Sequence, residues 1–309
     1  MLAESTTRPT PKQRHQISLE ELLSLRHWPP ARGGRRERMA IRDGHHLSHI
    51  RGRGMEYDDV RQYQPGDDIR HLDWHLMART GEAYTKLFRE ERERPVFVIT
   101  DLRPTMQFAT RGHFKAVLAS YAASMVVWNT LAQGDRVGAH LLGADDDLLF
   151  KPTNARQRVM GLMAELAERH YQPNSERVQP ISLAAALSKA ERYLSSGTLV
   201  YLFSDFHDVD AAAQQHLMRL AKRCELKLVL ISDPLEEQLP KGRRYRFIGR
   251  DKEVSIAAGA TQQDQYQQQF AQRIAVLEQL HQLRGVEFAH WRSAAHPLFE
   301  CAGGDHEHA

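Results

Sequence analysis

The sequence predicts an α/β fold built on a doubly wound, mostly parallel sheet. Short runs of apolar residues end in the acids Asp101, Asp205 and Asp233, as buried parallel strands often do where they emerge at a sheet edge. Between these runs, apolar residues recur every three or four positions, which is typical of helices packed on a sheet. The alternation of the two patterns predicts one α/β domain over residues 95–292.

The part of the chain before this domain has a different texture. Residues 1–16 show no periodicity and are predicted to form a flexible arm. Ser18 and Glu21 have the spacing of a capping box and precede several leucines, which predicts a short helix that ends near Trp28. Glycines and short alternating runs follow. Residues 17–94 are therefore interpreted as a helix with a small strand-rich extension.

The elements of the α/β domain follow from local patterns. The run PVFVITD predicts a buried strand that ends at Asp101. The next helix carries an apolar stripe through Tyr121 and Trp128, and Gly134 ends it. Residues 293–309 are predicted to be a flexible tail. The remaining predicted elements are strands at 137–142, 198–203, 226–231 and 285–289, a hairpin strand at 148–150, and helices at 155–168, 182–195, 210–223 and 261–283.

Composition and charge exclude several classes of protein. The chain has 309 residues, of which 41% are hydrophobic and 26% charged, so it is a globular protein rather than a disordered or fibrous one. Its two cysteines are far apart and lack metal-site spacing, which predicts a reducing compartment. No apolar run reaches the roughly 18 residues that cross a bilayer. We expect a cytoplasmic protein without direct membrane insertion, which reaches the inner membrane only through partners.

A cluster of arginines raises the question of nucleic acid. The segment from Arg26 to Arg53 holds eight arginines against two acids, which could hold phosphates. A solvated basic face or a docking surface for an acidic partner accounts for the same pattern, so we expect no nucleic-acid partner. The chain also lacks the GxGxxG, GxxxxGK[ST], GxSxG and HExxH motifs, which removes the best support for nucleotide binding or for common hydrolase mechanisms.

A set of linked motifs gives the chain a family resemblance. Their order along roughly residues 17–232 is more specific than any single pattern. On these motifs the chain resembles the bacterial family called domain of unknown function fifty-eight, whose Rossmann-like core is similar to a von Willebrand factor type A domain. The motifs are GRGMEYDDVRQYQPGDDIRHLDWHLMARTG (52–81), FREERERPVFVITDLRPTM (88–106), FKAVLASYAA (114–123), GDRVGAHLL (134–142) and SDF (204–206).

The resemblance implies a metal site that this chain has altered. Metal-binding type A domains hold magnesium with an Asp-x-Ser-x-Ser loop, a threonine from a second loop and an aspartate from a third. Here the first loop retains Asp101 and ends in Thr105, but Arg103 stands at the first serine position; Asp205 is retained in the third loop. The second-loop threonine would fall near Ile181, with Ser182 beside it.

The arginine leads to a hypothesis about this degenerate site. A guanidinium is always protonated and binds carboxylates through a rigid fork. We therefore expect Arg103 to take the place of the divalent cation and to pair with Asp101 or Asp205. On this hypothesis the site uses no cofactor, and Mg²⁺ is disfavoured.

A second constellation of charged and aromatic residues precedes the α/β domain. It surrounds a Pro-Gly-Asp-Asp turn. One interpretation is a structural network of paired charges that clamps the extension to the sheet; the other is recognition of a partner. His71, Asp73 and His75 would share one face of a strand and so form a weak zinc pattern. The candidate partner-binding residues are Tyr63, Asp67, Asp68, Arg70, Asp73, Trp74 and Arg79.

The resemblance also implies a function. It predicts a non-catalytic adaptor that acts with a MoxR-type AAA+ ATPase and with other type A domain proteins, through the strand-end face around Asp101, Arg103 and Asp205. An alternative from another class is a metal-dependent hydrolase or nuclease, which would need several carboxylates to converge on one metal. The acids available to such an enzyme are Asp67, Asp68, Asp73 and Asp205.

Overall fold

The computed structural model describes most of the chain and divides it into two compact units. One unit comprises Met1–Arg42 together with Arg94–Ala309, and the other comprises Asp43–Glu93. We call them the large unit and the small unit. The described residues are 15–27, 55–65, 68–90, 95–144, 146–169, 180–238, 244–248, 253–257 and 260–293.

After residue 95 the secondary structure alternates between strands and helices as predicted, except that the antiparallel strand pair at Arg244–Ile248 and Glu253–Ala257 was not predicted. Short 3₁₀ helices occur at Leu25–His27, Ile69–His71 and Pro104–Met106. The other elements are α1 (Leu19–Ser24), β1 (Met55–Gln62), α2 (Trp74–Thr80), β2 (Tyr84–Glu90), β3 (Val96–Asp101), α3 (Lys115–Ala132), β4 (Val137–Leu142), β5 (Asp147–Thr153), α4 (Arg156–Arg169), α5 (Leu183–Ala190), β6 (Leu199–Ser204), α6 (Ala211–Ala221), β7 (Glu225–Ser232), α7 (Pro234–Glu237), β8 (Arg244–Ile248), β9 (Glu253–Ala257), α8 (Ala260–His281) and β10 (Val286–Arg292).

The large unit is built on a six-stranded sheet with the order β10-β7-β6-β3-β4-β5. All neighbouring strands are parallel except β4 and β5, which form an antiparallel hairpin at one edge. The chain runs from β3 outward to β5 and then crosses back to β6, on the other side of β3. This reversal places a topological switch point between β3 and β6, where doubly wound sheets form a crevice at the carboxyl ends of their strands.

Helices cover both faces of this sheet, which confirms the predicted doubly wound α/β class. Successive residues of β3 alternate between two hydrophobic clusters: Val96 and Val98 face one, and Phe97 and Ile99 face the other. The first cluster includes α1, α3 and α4, and the second includes α5, α6 and α8. Since apolar helices pack on both sides, the central strands are continuously hydrophobic rather than alternating with polar residues.

The N-terminal helix α1 belongs to the large unit. Its capping box is present as predicted, because Ser18 Oγ accepts from the Glu21 amide and the Glu21 carboxylate accepts from the Ser18 amide. Leu22 is fully buried, and its carbonyl accepts a hydrogen bond from Trp128 Nε1 at 2.9 Å. This helix was predicted to belong with the strand-rich extension, whereas it packs in the core of the large unit.

Helix α3 is buried on nearly all sides, although the sequence pattern predicted a single buried stripe. Ser124 and Thr130 lie inside the protein, and each hydroxyl donates to a backbone carbonyl four residues earlier at 2.8 Å. The reason for the burial is that α3 lies between the sheet and the layer formed by α1 and α4. Ser124 and Thr130 tolerate this position because the helix itself satisfies their hydroxyls.

The small unit consists of an antiparallel β1–β2 ribbon with a bulge between Tyr57 and Asp59, and the helix α2. A strand was expected to carry His71, Asp73 and His75, and that expectation is wrong. His71 ends a 3₁₀ turn, Asp73 caps α2, and His75 lies in α2. The local reason is that Asp73 Oδ1 accepts from the amides of residues 75 and 76, which starts a helix.

None of the helices in the described residues is both long enough and apolar enough to cross a membrane. The longest, α8, is rich in glutamine. The predicted tail at 293–309 lies outside the described residues, except for Ser293.

Candidate functional site

The crevice at the switch point contains a buried cluster of charged side chains. Asp101 is the last residue of β3, and Asp205 directly follows β6, so the parallel register brings both acids to the same edge. Both side chains are buried, as is Arg103. Charged groups at such a depth require partners, because isolated ions in a protein interior are strongly destabilising.

Arg103 uses every hydrogen-bond donor that it has. Nε and Nη2 donate to the two oxygens of Asp101 at 2.9 and 2.7 Å. Nη1 and Nη2 donate to the two oxygens of Asp208 at 2.6 and 2.9 Å, and Nη1 also donates to the carbonyl of Ile181 at 3.0 Å. These contacts account for all five N–H groups of a guanidinium. With only 2% of the residue exposed, Arg103 has no donor left for a partner molecule.

The pairing agrees with the hypothesis in one part and differs in another. Arg103 pairs with Asp101, one of the two acids named for it, but not with Asp205. Its second acid, Asp208, was not considered. Burial opposes the charge on Arg103, but the carboxylates of Asp101 and Asp208 outweigh burial and raise the pKa of Arg103. Burial also opposes ionisation of Asp208, whose pKa is nevertheless lowered by its bonds to the guanidinium.

Asp205 has a cation of its own. Lys115, in the first turn of α3, donates to Asp205 Oδ2 at 2.9 Å and to Glu236 Oε1 at 2.5 Å. The other Asp205 oxygen is 3.0 Å from His207 Nδ1. Burial works against the ionised carboxyl, but Lys115 and His207 reverse this effect and hold the pKa of Asp205 well below its usual value. Among the described residues, Arg103 and Lys115 are thus buried cations that bind the carboxylates of Asp101 and Asp205, respectively.

The remaining positions of the implied metal site have other roles. Thr105 is exposed, and its hydroxyl is 3.3 Å from His207 Nδ1. Ser182 caps α5 by accepting from the Ala185 amide at 3.2 Å. Ile181 contributes only its backbone carbonyl, which accepts from Arg103. The two loops that would complete a metal shell are thus held by helix capping and by the guanidinium.

Backbone geometry and a buried serine fix the Asp101 side of the cluster. Ser204 Oγ donates to Asp101 Oδ2 at 2.6 Å and accepts from the Phe206 amide at 3.0 Å. Phe206 has a φ of 51°, a left-handed conformation that is unfavourable for a bulky residue. Its side chain is fully buried in the second hydrophobic cluster. That burial holds the strained turn, which directs Asp205, His207 and Asp208 toward the edge.

The carboxylate of Asp233 holds the loop after β3 in place. Asp233 accepts from the amide and the hydroxyl of Thr110 at 2.8 and 2.6 Å, from the Leu235 amide at 2.9 Å, and from the Ser293 hydroxyl at 2.7 Å. Burial opposes its ionisation, but these hydrogen bonds lower the pKa of Asp233. The contacts join the ends of β7 and β10 to the loop that carries Arg103 and Thr105.

The residues at this edge do not fit a bound magnesium ion. Magnesium requires carboxylate and hydroxyl oxygens that point at one centre with room for further ligands. Asp101 already accepts from Arg103 and Ser204, and Asp205 accepts from Lys115 and the His207 amide. Within the described part of the chain, no group of three or more His, Cys, Asp or Glu side chains has the arrangement of a metal site.

In the small unit, the predicted constellation separates into capping acids and exposed side chains. Asp68 accepts from the Arg70 amide at 3.0 Å, and this backbone bond is the main cause of its lowered pKa. Asp73 caps α2. Trp74 is 60% exposed, and Arg70 and Arg79 are also exposed. Tyr63 is half-buried, with its amide bonded to the Ala83 carbonyl. Asp67 lies outside the described residues.

Four residues of the charged cluster at the switch point were not predicted from the sequence. Asp208 follows the retained Asp205 by three positions, so a turn after β6 could have predicted its direction. Lys115 had a clearer indication, because a lysine at the start of an otherwise apolar helix needs a buried partner. Nothing in the local sequence connects Glu236 or His207 to the edge, since both arrive there through tertiary contacts.

Comparison with known sequences gives two kinds of match. Residues 59–279 match the sequence model of the family described as "Protein of unknown function DUF58". The uncharacterized proteins Mb1516 of Mycobacterium bovis and Rv1480 of Mycobacterium tuberculosis are each 27% identical over 197 residues. Each alignment covers 64% of this chain and 61% of the relative, so the chain matches about three fifths of the length of these relatives.

Several solved structures are similar to this chain at low sequence identity. BatB from Bacteroides thetaiotaomicron has a TM-score of 0.40 at 14% identity and covers 64% of this chain and 90% of its own. An aerotolerance-related membrane protein from Bacteroides fragilis has a TM-score of 0.40 at 13% identity, covering 68% and 94%. The SpRpn10 VWA domain has a TM-score of 0.36 at 10% identity, covering 68% and 93%.

Proposed function

The chain belongs to the DUF58 family, and from that premise we propose that it is a non-catalytic, partner-binding adaptor that acts with a MoxR-type AAA+ ATPase. Other type A domain proteins are further proposed partners. The ATPase is proposed as a partner because the sequence motifs resemble those of this family. The observation that carries the non-catalytic part is the double fork of Arg103, whose five donors are bound by Asp101, Asp208 and the Ile181 carbonyl.

The Arg103 arrangement favours docking over turnover. Metal-dependent catalysis needs carboxylates that converge on an ion with an open coordination position. At this edge the acids are neutralised by Arg103 and Lys115. Thr105 and His207 remain accessible at this edge, and Asp208 and Glu236 are partly exposed. We therefore propose that a partner contacts these accessible side chains, which we call the rim, and that the buried guanidinium of Arg103 keeps the rim in shape.

The hydrolase or nuclease alternative receives less support. Asp68 and Asp73 accept hydrogen bonds from backbone amides of their own turns, and Asp205 is bound to Lys115. Asp67 lies outside the described residues. Acids that cap local turns and pair with fixed cations are poor candidates for a shared metal, because each would have to give up its present partner.

We also propose that the chain does not act on nucleic acid and does not insert into the membrane directly. Of the arginine-rich segment 26–53, the structure describes only Arg26 and His27. Salt-dependent filter binding with duplex and single-stranded DNA tests the first point, because phosphate-driven affinity falls steeply with salt. Fractionation of cells with and without the ATPase gene tests whether the chain is cytoplasmic and reaches the inner membrane only through partners.

The main test is binding of the full chain to a purified MoxR-type ATPase from the same organism, with ATP and with ADP. We expect saturable binding that is weakened by Thr105→Ala and His207→Ala. His281→Ala is the matched control, since His281 bonds a backbone carbonyl near the start of β10. If the wild-type chain binds the ATPase in neither nucleotide state, the proposed partner is wrong. Binding that survives both rim variants would place the contact elsewhere on the chain.

Calorimetry with magnesium and manganese tests the metal-free site separately. We expect no binding in the micromolar range, because the acids already have fixed cations. Micromolar binding that disappears in Asp101→Ala would overturn the non-catalytic assignment. A substrate consumed by the purified chain would overturn it as well.

A further inference from the structure

The small unit exposes three large apolar side chains in α2 and in the turn just before it. Among the side chains that the structure describes, seven large hydrophobic ones are exposed, and three of them fall within the nine residues from 69 to 77. Trp74 is 60% exposed, Ile69 is 59% exposed and Met77 is 37% exposed. The other four are scattered through the large unit. Isolated exposed hydrophobic residues are normal on protein surfaces, whereas a cluster that contains tryptophan is typical of binding sites.

The segment that carries these side chains is firmly built. Asp73 caps α2 at its start, and Gly81 ends it with a φ of 78°. The Asp73 amide donates to the Tyr84 carbonyl at 2.8 Å, and Leu72 bridges to Thr85, which ties the turn before α2 to strand β2. Trp74 and Met77 are three residues apart in the helix and therefore lie on the same side of it. Their exposure is thus a property of an ordered helix rather than of a frayed end.

Arginines stand at both ends of this apolar segment. Arg70 precedes α2, and its side chain is 88% exposed; Arg79 lies in the last turn and is also exposed. The contact between Arg70 and Asp68, at 3.3 Å on the surface, is of the kind that contributes little stability. A guanidinium in this position keeps most of its donors for another molecule. Tryptophan and arginine are also the side chains most enriched at the centres of protein interfaces.

We propose that Ile69, Trp74 and Met77, with Arg70 and Arg79 at the ends, form a docking surface for an acidic amphipathic segment of a partner protein. The apolar centre would be covered by the partner's apolar face, and the arginines would pair with its carboxylates. A second copy of the chain is a less suitable occupant, because a twofold contact through this face would bring like-charged arginines together. This inference deepens the proposed adaptor function by naming the chemistry of one contact surface.

Two synthetic helical peptides test the surface without any assumption about the ATPase. Each has about 18 residues, enough to form a helix, with leucines on one face; one carries glutamates on the other face and the second carries lysines. We expect the glutamate peptide to bind the full chain saturably and to shift the tryptophan emission to the blue. The lysine peptide should bind at least about tenfold more weakly. In a chain that also carries Trp28→Phe, Trp74→Phe should abolish the emission shift, since the other two tryptophans, Trp128 and Trp291, are buried.

Variants distinguish this surface from general stickiness. Arg70→Glu with Arg79→Glu should reverse the preference to the lysine peptide, and Met77→Ser should weaken binding by about tenfold. Met218→Ser is the matched control, because Met218 is exposed to a similar extent in the large unit. Equal binding of both peptides, or an unchanged preference in the charge-reversed chain, would overturn the proposal. A concentration-dependent dimer in sedimentation that Trp74→Ala dissolves would overturn it in favour of self-association.

The outcome is separable from that of the adaptor proposal. Failure of the ATPase to bind would remove the proposed partner but would leave the peptide preference intact. If the ATPase binds and the peptides show no preference, the adaptor role stands and this surface is excluded.

Discussion

The two units of this protein use the same charged residue types in opposite ways. In the large unit, Arg103 is 2% exposed and all five of its donors are bound to the protein. In the small unit, the side chain of Arg70 is 88% exposed and has one long contact with Asp68. Burial and hydrogen bonding, rather than residue type, therefore decide which arginine holds the fold together and which remains available to another molecule.

This difference changes how a degenerate ligand site is understood. From the sequence, Arg103 itself was expected to be part of the docking face, because a guanidinium there would replace a metal ion. The structure places Arg103 beneath the surface, where it can organise the rim but cannot reach a partner. A metal ion can bind an external carboxylate through an open coordination position. A buried guanidinium in its place has no such position, because all its donors are bound within the protein.

The largest expected effect is on the buried arginine. Arg103→Met should lower the free energy of unfolding by about 3–5 kcal/mol, because Asp101 and Asp208 would keep their charges without a partner. Urea denaturation followed by near-ultraviolet circular dichroism measures this value. Arg219→Met, at an exposed position in α6, is the control and should change stability by less than about 0.5 kcal/mol. If the Arg103 variant were as stable as wild type, the buried arginine would not be structural, and the contrast with the exposed Arg70 would be wrong.

The next largest effect is expected at low pH. Because the pKa of Asp205 in the folded protein is lowered, mainly by Lys115 against burial, its contribution to stability is present above the unfolded value of about 3.9 and is lost as the pH falls through the folded value. Unfolding free energy should therefore fall below about pH 4. In Lys115→Met burial should raise the pKa of Asp205 in the folded protein toward or above its unfolded value, so stability should fall less between neutral pH and low pH than in wild type. Urea midpoints across a pH series measure the difference.

Lys222→Met is the control for this pH series, since Lys222 is exposed at the end of α6. It should leave the loss of stability at low pH unchanged. An identical loss in Lys115→Met and wild type would mean that Lys115 does not control the pKa of Asp205.

A smaller effect is expected for a helix cap in the small unit. Asp73→Ala removes the acceptor for two amides of α2 and should destabilise the helix by about 1 kcal/mol. Hydrogen exchange at the amides of His75 and Leu76 should then be roughly fivefold faster. Asp73→Asn retains a capping oxygen and should exchange almost as slowly as wild type. Unchanged exchange in the alanine variant would contradict the capping role of Asp73.

The smallest expected effect on stability is at Arg70. Arg70→Ala should change the unfolding free energy by less than about 0.5 kcal/mol, because its one ion pair is exposed. The same variant should weaken binding of the glutamate peptide. A stability loss comparable with that of Arg103→Met would show that both arginines are structural, and the proposed division of roles would be wrong.

Apart from the β8–β9 pair, which was not predicted, the order of strands and helices in the large unit could be predicted from the sequence because it depends on local patterns. The buried run that forms β3, the capping box of α1 and the spacing that forms α8 all act within a few residues, and the structure confirms each. The small unit was predicted less well. Its acids and histidines alternate as in a strand, but Asp73 at a helix start outweighs that pattern.

The sequence by itself determined the fold class and the two acids at the switch point, since apolar runs and the residues that end them fix where strands emerge. Only the tertiary structure decided which charges meet there. Asp208 and Lys115 reach the edge because the turn after β6 and the first turn of α3 point toward it, and Glu236 arrives from a third segment. Pairings between segments a hundred residues apart depend on packing, and no local pattern records them.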